Sequence, residues 1–265
     1  MANYDLLGNI AIVKFPKGAK KREKLEQARE LLMIPSVKTV LEKLDKVKGR
    51  LRTIKTRYIA GKRNLIAEYR ESECRFRFNV ETCYFSPRLS NERIEVARMI
   101  KKTDNVLVMF SGVGPFSIVI AKLVRPKRVL SIELGKECCK YAKENVRLNK
   151  VADIVEVIQG DVKKVVKKGG LIVKGNLVPL QFDVIVMPRP NLKETFLKEA
   201  FAVAKKGTKI VYYGFSPESE KEKMLGNLLR EAKTLKRKIK ILSVEEAGDI
   251  APYEHRYRIE MKVED

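Results

Sequence analysis

The chain has 265 residues, enough for one large domain or two modest ones, and at 45% hydrophobic and 34% charged it is too apolar for a disordered chain and too charged for a membrane bundle. Its 56 Lys and Arg against 33 Asp and Glu leave a net charge of +23, a field that draws polyanions and makes nucleic acid the leading partner class. Residues 1–15 lack the order of a secretory signal and no apolar run approaches the ~18 residues of a membrane span, so a cytoplasmic protein without membrane contact is expected.

Residues 9–15 alternate like a strand, 16–19 form a turn, and 20–32 carry helical spacing at Leu25, Ala28, Leu31 and Leu32. Short strands follow over 37–41, 53–60, 64–69 and 75–80, with another expected over 82–85; Gly49 and Gly61 punctuate them. Residues 1–88 therefore read as a small α+β module. Positions 46–77 hold 11 basic and 3 acidic residues, a density suited to phosphates, although a solvated strand face has the same look. A heat-adapted surface, suggested by only three glutamines, accounts for the charge density but not for its sign.

From residue 90 strands and helices alternate. A helix is expected over 92–100, a strand over 105–110, a helix over 116–123, a strand over 128–133, a helix over 136–149 and a strand over 154–159. An irregular loop over 169–179 leads to a strand over 182–187, a helix over 193–204, a strand over 209–213, a helix over 217–237, and final strands over 239–245 and 255–263. Several of these strands are too uniformly hydrophobic for a sheet with one wet face, so helices should cover both faces of a mostly parallel sheet. Residues 89–265 thus read as a doubly wound, Rossmann-like α/β domain ending in an antiparallel pair. Residues 221–240 add 8 basic residues against 2 acidic, a second candidate stripe for a nucleic-acid backbone. Cys74, Cys83, Cys138 and Cys139 form no C-x-x-C pair, so no metal site or disulfide framework is expected, and the single histidine, His255, excludes a mechanism needing two.

Three features converge on one crevice. Phe110-Ser111-Gly112-Val113-Gly114-Pro115-Phe116 turns from the first parallel strand into a helix, and its two glycines let a ligand approach the backbone. The next strand ends in Glu133, where a carboxylate can accept ribose hydroxyls, and the third ends Gln159-Gly160-Asp161, where another can accept from an adenine amine. Ligands of open α/β sheets sit at such strand ends, and adenosine fits all three. The third glycine of a dinucleotide fingerprint is missing, which favours S-adenosylmethionine over NAD.

Phe85-Ser86-Pro87-Arg88-Leu89-Ser90-Asn91-Glu92-Arg93, the glycine turn, and Lys143-Glu144-Asn145-Val146-Arg147-Leu148-Asn149 resemble the archaeal and eukaryotic tRNA (guanine37-N1)-methyltransferases, including their archaeal wyosine-pathway branch. The likeness covers nearly the whole chain. Its opening, Tyr4-Asp5-Leu6-Leu7-Gly8-Asn9-Ile10, is similar to the start of that family's second domain, so the extra N-terminal domain of many relatives is expected to be missing. The resemblance implies S-adenosylmethionine as donor, held by Arg93, Phe110, Gly112, Gly114, Glu133, Asp161 and Met187. It implies Glu92 as the base that removes the guanine N1 proton, and an upstream arginine at Arg52, in Gly49-Arg50-Leu51-Arg52, that steadies the guanine or a phosphate beside it. Where relatives end the fourth strand in an asparagine motif, this chain has Pro188-Arg189-Pro190; Pro188 stands at the catalytic position with only its carbonyl to offer. Val108 replaces a residue that is usually acidic. A relaxed motif there suits a larger tricyclic base, so methylation of C7 of 4-demethylwyosine is expected beside N1 methylation. The implied partner is the tRNA anticodon stem-loop, that of tRNA-Phe in the wyosine branch, met by a monomer. Two alternatives stay open: aminocarboxypropyl transfer to the wyosine intermediate, and a non-catalytic RNA-binding protein with a degenerate donor pocket.

Overall fold

The computed structural model describes residues 3–44, 49, 51–173, 175–251 and 253–265. Lys46, Lys48 and Arg50, which contribute to the basic stretch above, lie outside the described residues. Strands β1 (Asn3–Leu7) and β2 (Ile10–Lys14) form a hairpin that the sequence analysis only half anticipated, since it placed no strand before residue 9. The signal is the two-residue turn Gly8-Asn9 between paired Leu7 and Ile10. Gly8 has φ +63°, and a Cβ there would stand 1.9 Å from the Glu68 carbonyl oxygen, so no other residue fits. Helix α1 (Lys21–Leu32) buries Ala28 and Leu31 and carries the chain to β3 (Thr39–Lys43), parallel to β2; β4 (Thr56–Gly61) completes the sheet β1-β2-β3-β4.

A separate hairpin, β5 (Ile66–Glu71) and β6 (Cys74–Asn79), turns Cys74, Phe76 and Phe78 inward at every second residue. Residues 82–85 are not the strand expected there. Phe85 is instead buried against this hairpin, its ring 4.9 Å from those of Phe78 and Tyr69, and that packing bends the segment into a loop. A turn of 3-10 helix at Pro87–Leu89 leads into α2 (Ser90–Arg98).

The second half alternates as read from the sequence: β7 (Asn105–Met109), α3 (Pro115–Val124), β8 (Arg128–Glu133), α4 (Lys136–Leu148), β9 (Val155–Gln159) and the one-turn α5 (Val162–Val165). The expected loop at 169–179 is a small meander, β10 (Val166–Lys167), β11 (Gly170–Val173) and β12 (Asn176–Pro179). A Cβ at Gly170 would stand 2.2 Å from the Val178 carbonyl oxygen, so glycine permits the close approach of these strands. After β13 (Phe182–Met187) the helix expected from residue 193 starts only at α6 (Leu197–Ala202). Phe196 takes a left-handed conformation there and packs edge-on against Phe110 at 4.8 Å. Strand β14 (Ala204–Ser216), α7 (Lys221–Thr234), β15 (Ile239–Ala251) and β16 (Glu254–Val263) finish the chain. The main sheet runs β15-β16-β14-β13-β7-β8-β9, parallel from β14 to β9 and antiparallel at β16, as a doubly wound sheet with a returning hairpin should.

One apolar core passes from Leu7, Ile12 and Leu41 through Phe76, Phe78 and Phe85 to Val106 and Phe116. Asn145 of α4 and Asn149 at that helix's C-terminal cap, a helical turn apart, hold its polar seam. Asn145 Oδ1 accepts from Arg77 N at 2.8 Å while its Nδ2 donates to the carbonyls of Arg77 and Val113, both at 3.1 Å. Asn149 does the same for Arg75, at 2.8 Å from N and 2.7 Å to O. Each amide thus replaces a neighbouring strand for β6, which is the physical content of the spacing Asn145-x-x-x-Asn149. Asn145→Leu leaves three buried backbone groups unpaired, and a loss of about 2–4 kcal/mol is expected from denaturant midpoints, against under about 1 for Glu144→Ala on the exposed side.

Candidate active site

Strands β7, β8 and β9 are adjacent and parallel, so their carboxyl ends place the glycine turn, Glu133 and Asp161 side by side. Positive φ at Phe110 (59°), Gly112 (57°) and Gly114 (88°) makes the turn; a bulky residue held at such an angle is unusual and marks a constrained site. Gly112 N donates to Glu133 Oε2 at 2.7 Å and Gly135 N donates to Oε1 at 2.6 Å. The Gly160 amide donates to the Glu133 carbonyl at 2.8 Å, which docks the end of β9 on the end of β8. Burial raises the Glu133 pKa above the usual glutamate value, and the amides of Gly135, Gly112 and Leu134 oppose that rise. Asp161 caps α5, its Oδ1 accepting from Lys163 N at 3.0 Å.

These residues line one crevice at the carboxyl ends of the strands, the usual ligand position of an open α/β sheet. Phe110, Gly112, Glu133, Asp161, Pro188 and Arg52 all border it, so six of the residues singled out from the sequence meet there. Among the described residues its charged lining is two carboxylates and one guanidinium, the reverse of the chain's overall sign. Arg52 also has a positive φ (55°), and its guanidinium lies 3.7 Å from the centre of the Tyr84 ring. Both residues border a second, wider cavity between the small sheet and the β15–β16 hairpin.

Glu92, in the first turn of α2, does not border the crevice. Its Oε1 accepts from the Tyr213 hydroxyl at 2.7 Å and from Arg258 Nη1 at 2.9 Å. Tyr213 follows Tyr212, the residue of β14 paired with Met187 of β13, so Glu92 sits at the same end of the sheet as Glu133 but on the far side of β13. Burial pushes the Tyr213 phenol well above its ordinary pKa, and the Glu92 carboxylate adds to the rise, so the hydroxyl stays a donor. Arg88 pairs with Asp5 at 2.9 Å and not with Glu92.

Three expected donor-binding residues stand elsewhere. Arg93 is buried in a two-pronged pair with Glu71, Nε to Oε1 at 2.5 Å and Nη2 to Oε2 at 2.6 Å, and also donates to the Ser86 carbonyl. Its guanidinium is committed to joining hairpin and helix and does not reach the crevice. Met187 is fully buried among Leu107, Ile185 and Tyr212, because strand alternation turns it into the sheet's core. Gly114 shapes the start of α3, its Cβ position 3.1 Å from Ile118 Cδ1, and does not border the crevice either.

Sequence reasoning missed Tyr84, Tyr213, Arg256 and Arg258. The only signal for the arginines is their i, i+2 spacing, which puts both on one face of the last strand. It also missed Arg189. That side chain is buried, and Nη1 donates to the carbonyls of Pro190 (3.2 Å), Leu192 (2.8 Å) and Glu194 (3.1 Å), fixing the loop that closes one side of the crevice.

The sequence signature of the TRM5/TYW2 methyltransferase domain matches residues 67–242, from the β5–β6 hairpin to the edge of the main sheet. The chain belongs to the TRM5/TYW2 methyltransferase family. It is 32% identical to the tRNA (guanine(37)-N(1))-methyltransferase Trm5b of Pyrococcus abyssi over 263 residues, covering 98% of this chain and 74% of that protein. It is 31% identical to the tRNA (guanine(37)-N(1))/4-demethylwyosine(37)-methyltransferase Taw22 of Nanoarchaeum equitans over 300 residues, covering 97% of this chain and 98% of that one. The crystal structure of Pyrococcus abyssi Trm5b superposes with a TM-score of 0.84 over 99% of this chain and 75% of the other. The TRM5/TYW2 signature thus starts inside the β5–β6 hairpin, the element that Asn145, Asn149 and Arg93 fasten to the Rossmann-like sheet.

Proposed function

We propose that this chain transfers the methyl group of S-adenosylmethionine to N1 of guanosine 37 in tRNA, and to C7 of 4-demethylwyosine at the same position. The observation that carries the reading is the pair of carboxylates at the two ends of one strand-end row: Glu133, clamped by the Gly112 and Gly135 amides in an acid-lined crevice, and Glu92 across β13. The crevice suits this donor. A cationic sulfonium is favoured beside Glu133 and Asp161, whereas the pyrophosphate of a dinucleotide would meet two like charges. The donor brings an electrophilic methyl group, so the protein need supply orientation and proton removal.

Each Glu133 oxygen retains a lone pair for a ribose hydroxyl after accepting its backbone N–H. Phe110, Ile132 and Val162 give the adenosine an apolar bed. Glu92 takes the N1 proton of guanine, whose nitrogen lone pair is otherwise unavailable; Tyr213 and Arg258 hold that carboxylate at the end of the sheet. Arg52 donates to a base edge or a phosphate, and the Pro188 carbonyl is the acceptor left at the end of β13. Residues 1–88 act as the tRNA-contacting module and 89–265 as the transferring domain. Turning base 37 out of its stack costs a few kcal/mol, offset by phosphate contacts to the anticodon stem-loop, that of tRNA-Phe in the first place. We place the enzyme in the cytoplasm as a monomer.

The deciding assay incubates the protein with labelled S-adenosylmethionine and tRNA carrying guanosine, adenosine or 4-demethylwyosine at position 37, followed by nucleoside mass spectrometry. A mass gain of one methyl on guanosine and on the tricycle, and none on adenosine, is expected. No gain overturns the reading, and a gain of one aminocarboxypropyl group replaces it with the alternative transfer.

Donor binding should depend on pH through Glu133. The ionised carboxylate is the better acceptor for ribose hydroxyls, and burial holds its pKa above the ordinary glutamate range. Affinity therefore falls as pH drops through that raised value, earlier than an exposed glutamate would cause. Titration calorimetry from pH 7.5 downward should show this fall, and Glu133→Gln should bind about tenfold or more weakly at pH 7.5 with the fall removed.

A further inference from the structure

The second cavity has the opposite charge to the crevice it adjoins. Among the described residues, Lys14, Lys43, Arg52, Arg88 and Arg256 line it against one acid, Asp5, which is already paired with Arg88. Arg256 is buried on β16; its Nη1 donates to the Ala247 carbonyl at 3.4 Å and its guanidinium lies 5.7 Å from the Phe215 ring. Arg52 enters the same cavity on the face of Tyr84. Among the described residues no carboxylate forms an ion pair with either guanidinium. Glu92, whose charge reaches Arg256, is itself bonded to Arg258 and Tyr213. Burial, and to a smaller degree the charge of Arg52, lower the Arg256 pKa, the mark of a cation kept where it is short of counter-charge. Keeping two guanidinium groups around one cavity without an ion-paired carboxylate is unfavourable until an anion enters, and a phosphodiester presents two anionic oxygens, one for each of them.

We propose that Arg52 and Arg256 clamp one of the two phosphodiesters flanking nucleotide 37, fixing the RNA backbone in the wide cavity while the base turns into the acid-lined crevice. The proposal rests on the reading of this chain as a tRNA methyltransferase. Arg52 and Tyr84, shared by both cavities, then mark the boundary between a site for a cation and a site for an anion.

The test uses anticodon stem-loops in which the phosphate 5′ or 3′ of position 37 is replaced by an uncharged methylphosphonate. Wild type should lose about tenfold or more in kcat/KM on one of the two, chiefly through KM, with a salt dependence shallower by about one ion. Arg256→Met should show that same loss on the unsubstituted RNA and no further loss on the neutral-linkage RNA, while S-adenosylmethionine affinity by calorimetry stays within about twofold. Arg256→Lys, which keeps the charge but not the fork, should fall between, and it decides with the wild-type series if Arg256→Met does not fold. Losses that multiply when variant and neutral linkage are combined overturn the clamp, as does a wild type indifferent to both linkages. Absence of methyl transfer from wild type to unsubstituted RNA overturns the underlying function and the clamp with it, whereas transfer without coupling overturns the clamp alone.

Discussion

Glu92→Gln is expected to lower the rate of methyl transfer to guanosine 37 by about 10²–10⁴-fold while leaving S-adenosylmethionine affinity within a few-fold of wild type. The amide keeps the shape of the side chain and an oxygen for Tyr213, but it cannot take a proton from N1. Donor affinity is the control, since Glu92 lies outside the crevice that Glu133 and Asp161 line. Loss of the charge also leaves Arg258 with only Glu260, at 3.5 Å, so some stability is lost as well and the rates belong at a temperature where the variant is fully folded. A Glu92→Gln enzyme within tenfold of wild type in single-turnover assays would remove this residue as the base. On 4-demethylwyosine the carbon C7 has no acidic N–H to lose before attack, so the rate there should fall less than on guanosine. That difference would separate a proton-removing role from a general effect on RNA binding.

Arg93→Met should be the most destabilising single change away from the chemistry, at about 3–5 kcal/mol. Arg93 and Glu71 have side chains 1% and 3% exposed, and their two-pronged pair joins the first half-turns of α2 to the end of β5. Removing the cation strands a buried carboxylate, and the Arg93 guanidinium also packs between the rings of Phe85 (5.1 Å) and Phe116 (5.9 Å). The double variant Glu71→Gln/Arg93→Met should recover a large part of the loss, because no unpaired charge remains. Urea unfolding of wild type, both single variants and the double variant measures this. A cost below about 1 kcal/mol for Arg93→Met would show that the charge finds water or another partner, contrary to its burial. Because the pair fastens the hairpin to the domain, the loss should coincide in all optical probes and not split into two transitions.

Much of this site is readable from local pattern. Segments with apolar centres at 105–109, 128–133 and 182–187 identify central parallel strands, and residues at or just past the ends of these strands and of β9 border the crevice: Phe110, Gly112, Glu133, Asp161 and Pro188. Strand periodicity and the rule that ligands gather at strand ends suffice for them, because both are properties of short stretches. Errors arise where a local pattern is ambiguous. Met187 ends a strand just as Glu133 does, yet it faces the opposite side of the sheet and is absorbed into the core. The segment 193–204 has helical spacing, but the packing of Phe196 on Phe110 delays the helix to Leu197. Asn145 and Asn149 are visible as a motif, while their purpose, pairing with the backbone of β6, is not.

The amino-acid sequence alone determines the alternation of strands and helices, the glycine turn, the acid at the end of β8 and the strongly positive field, since each depends on neighbours in the chain or on composition. Partnerships across the fold are decided only by tertiary structure. Glu92 meets Arg258 from 166 residues away, Arg93 meets Glu71 across 22, and Arg52 lies over Tyr84 beside Arg256. The reason is energetic: a charged side chain takes whichever partner lets it leave water at least cost, and that choice exists only after the sheets have packed.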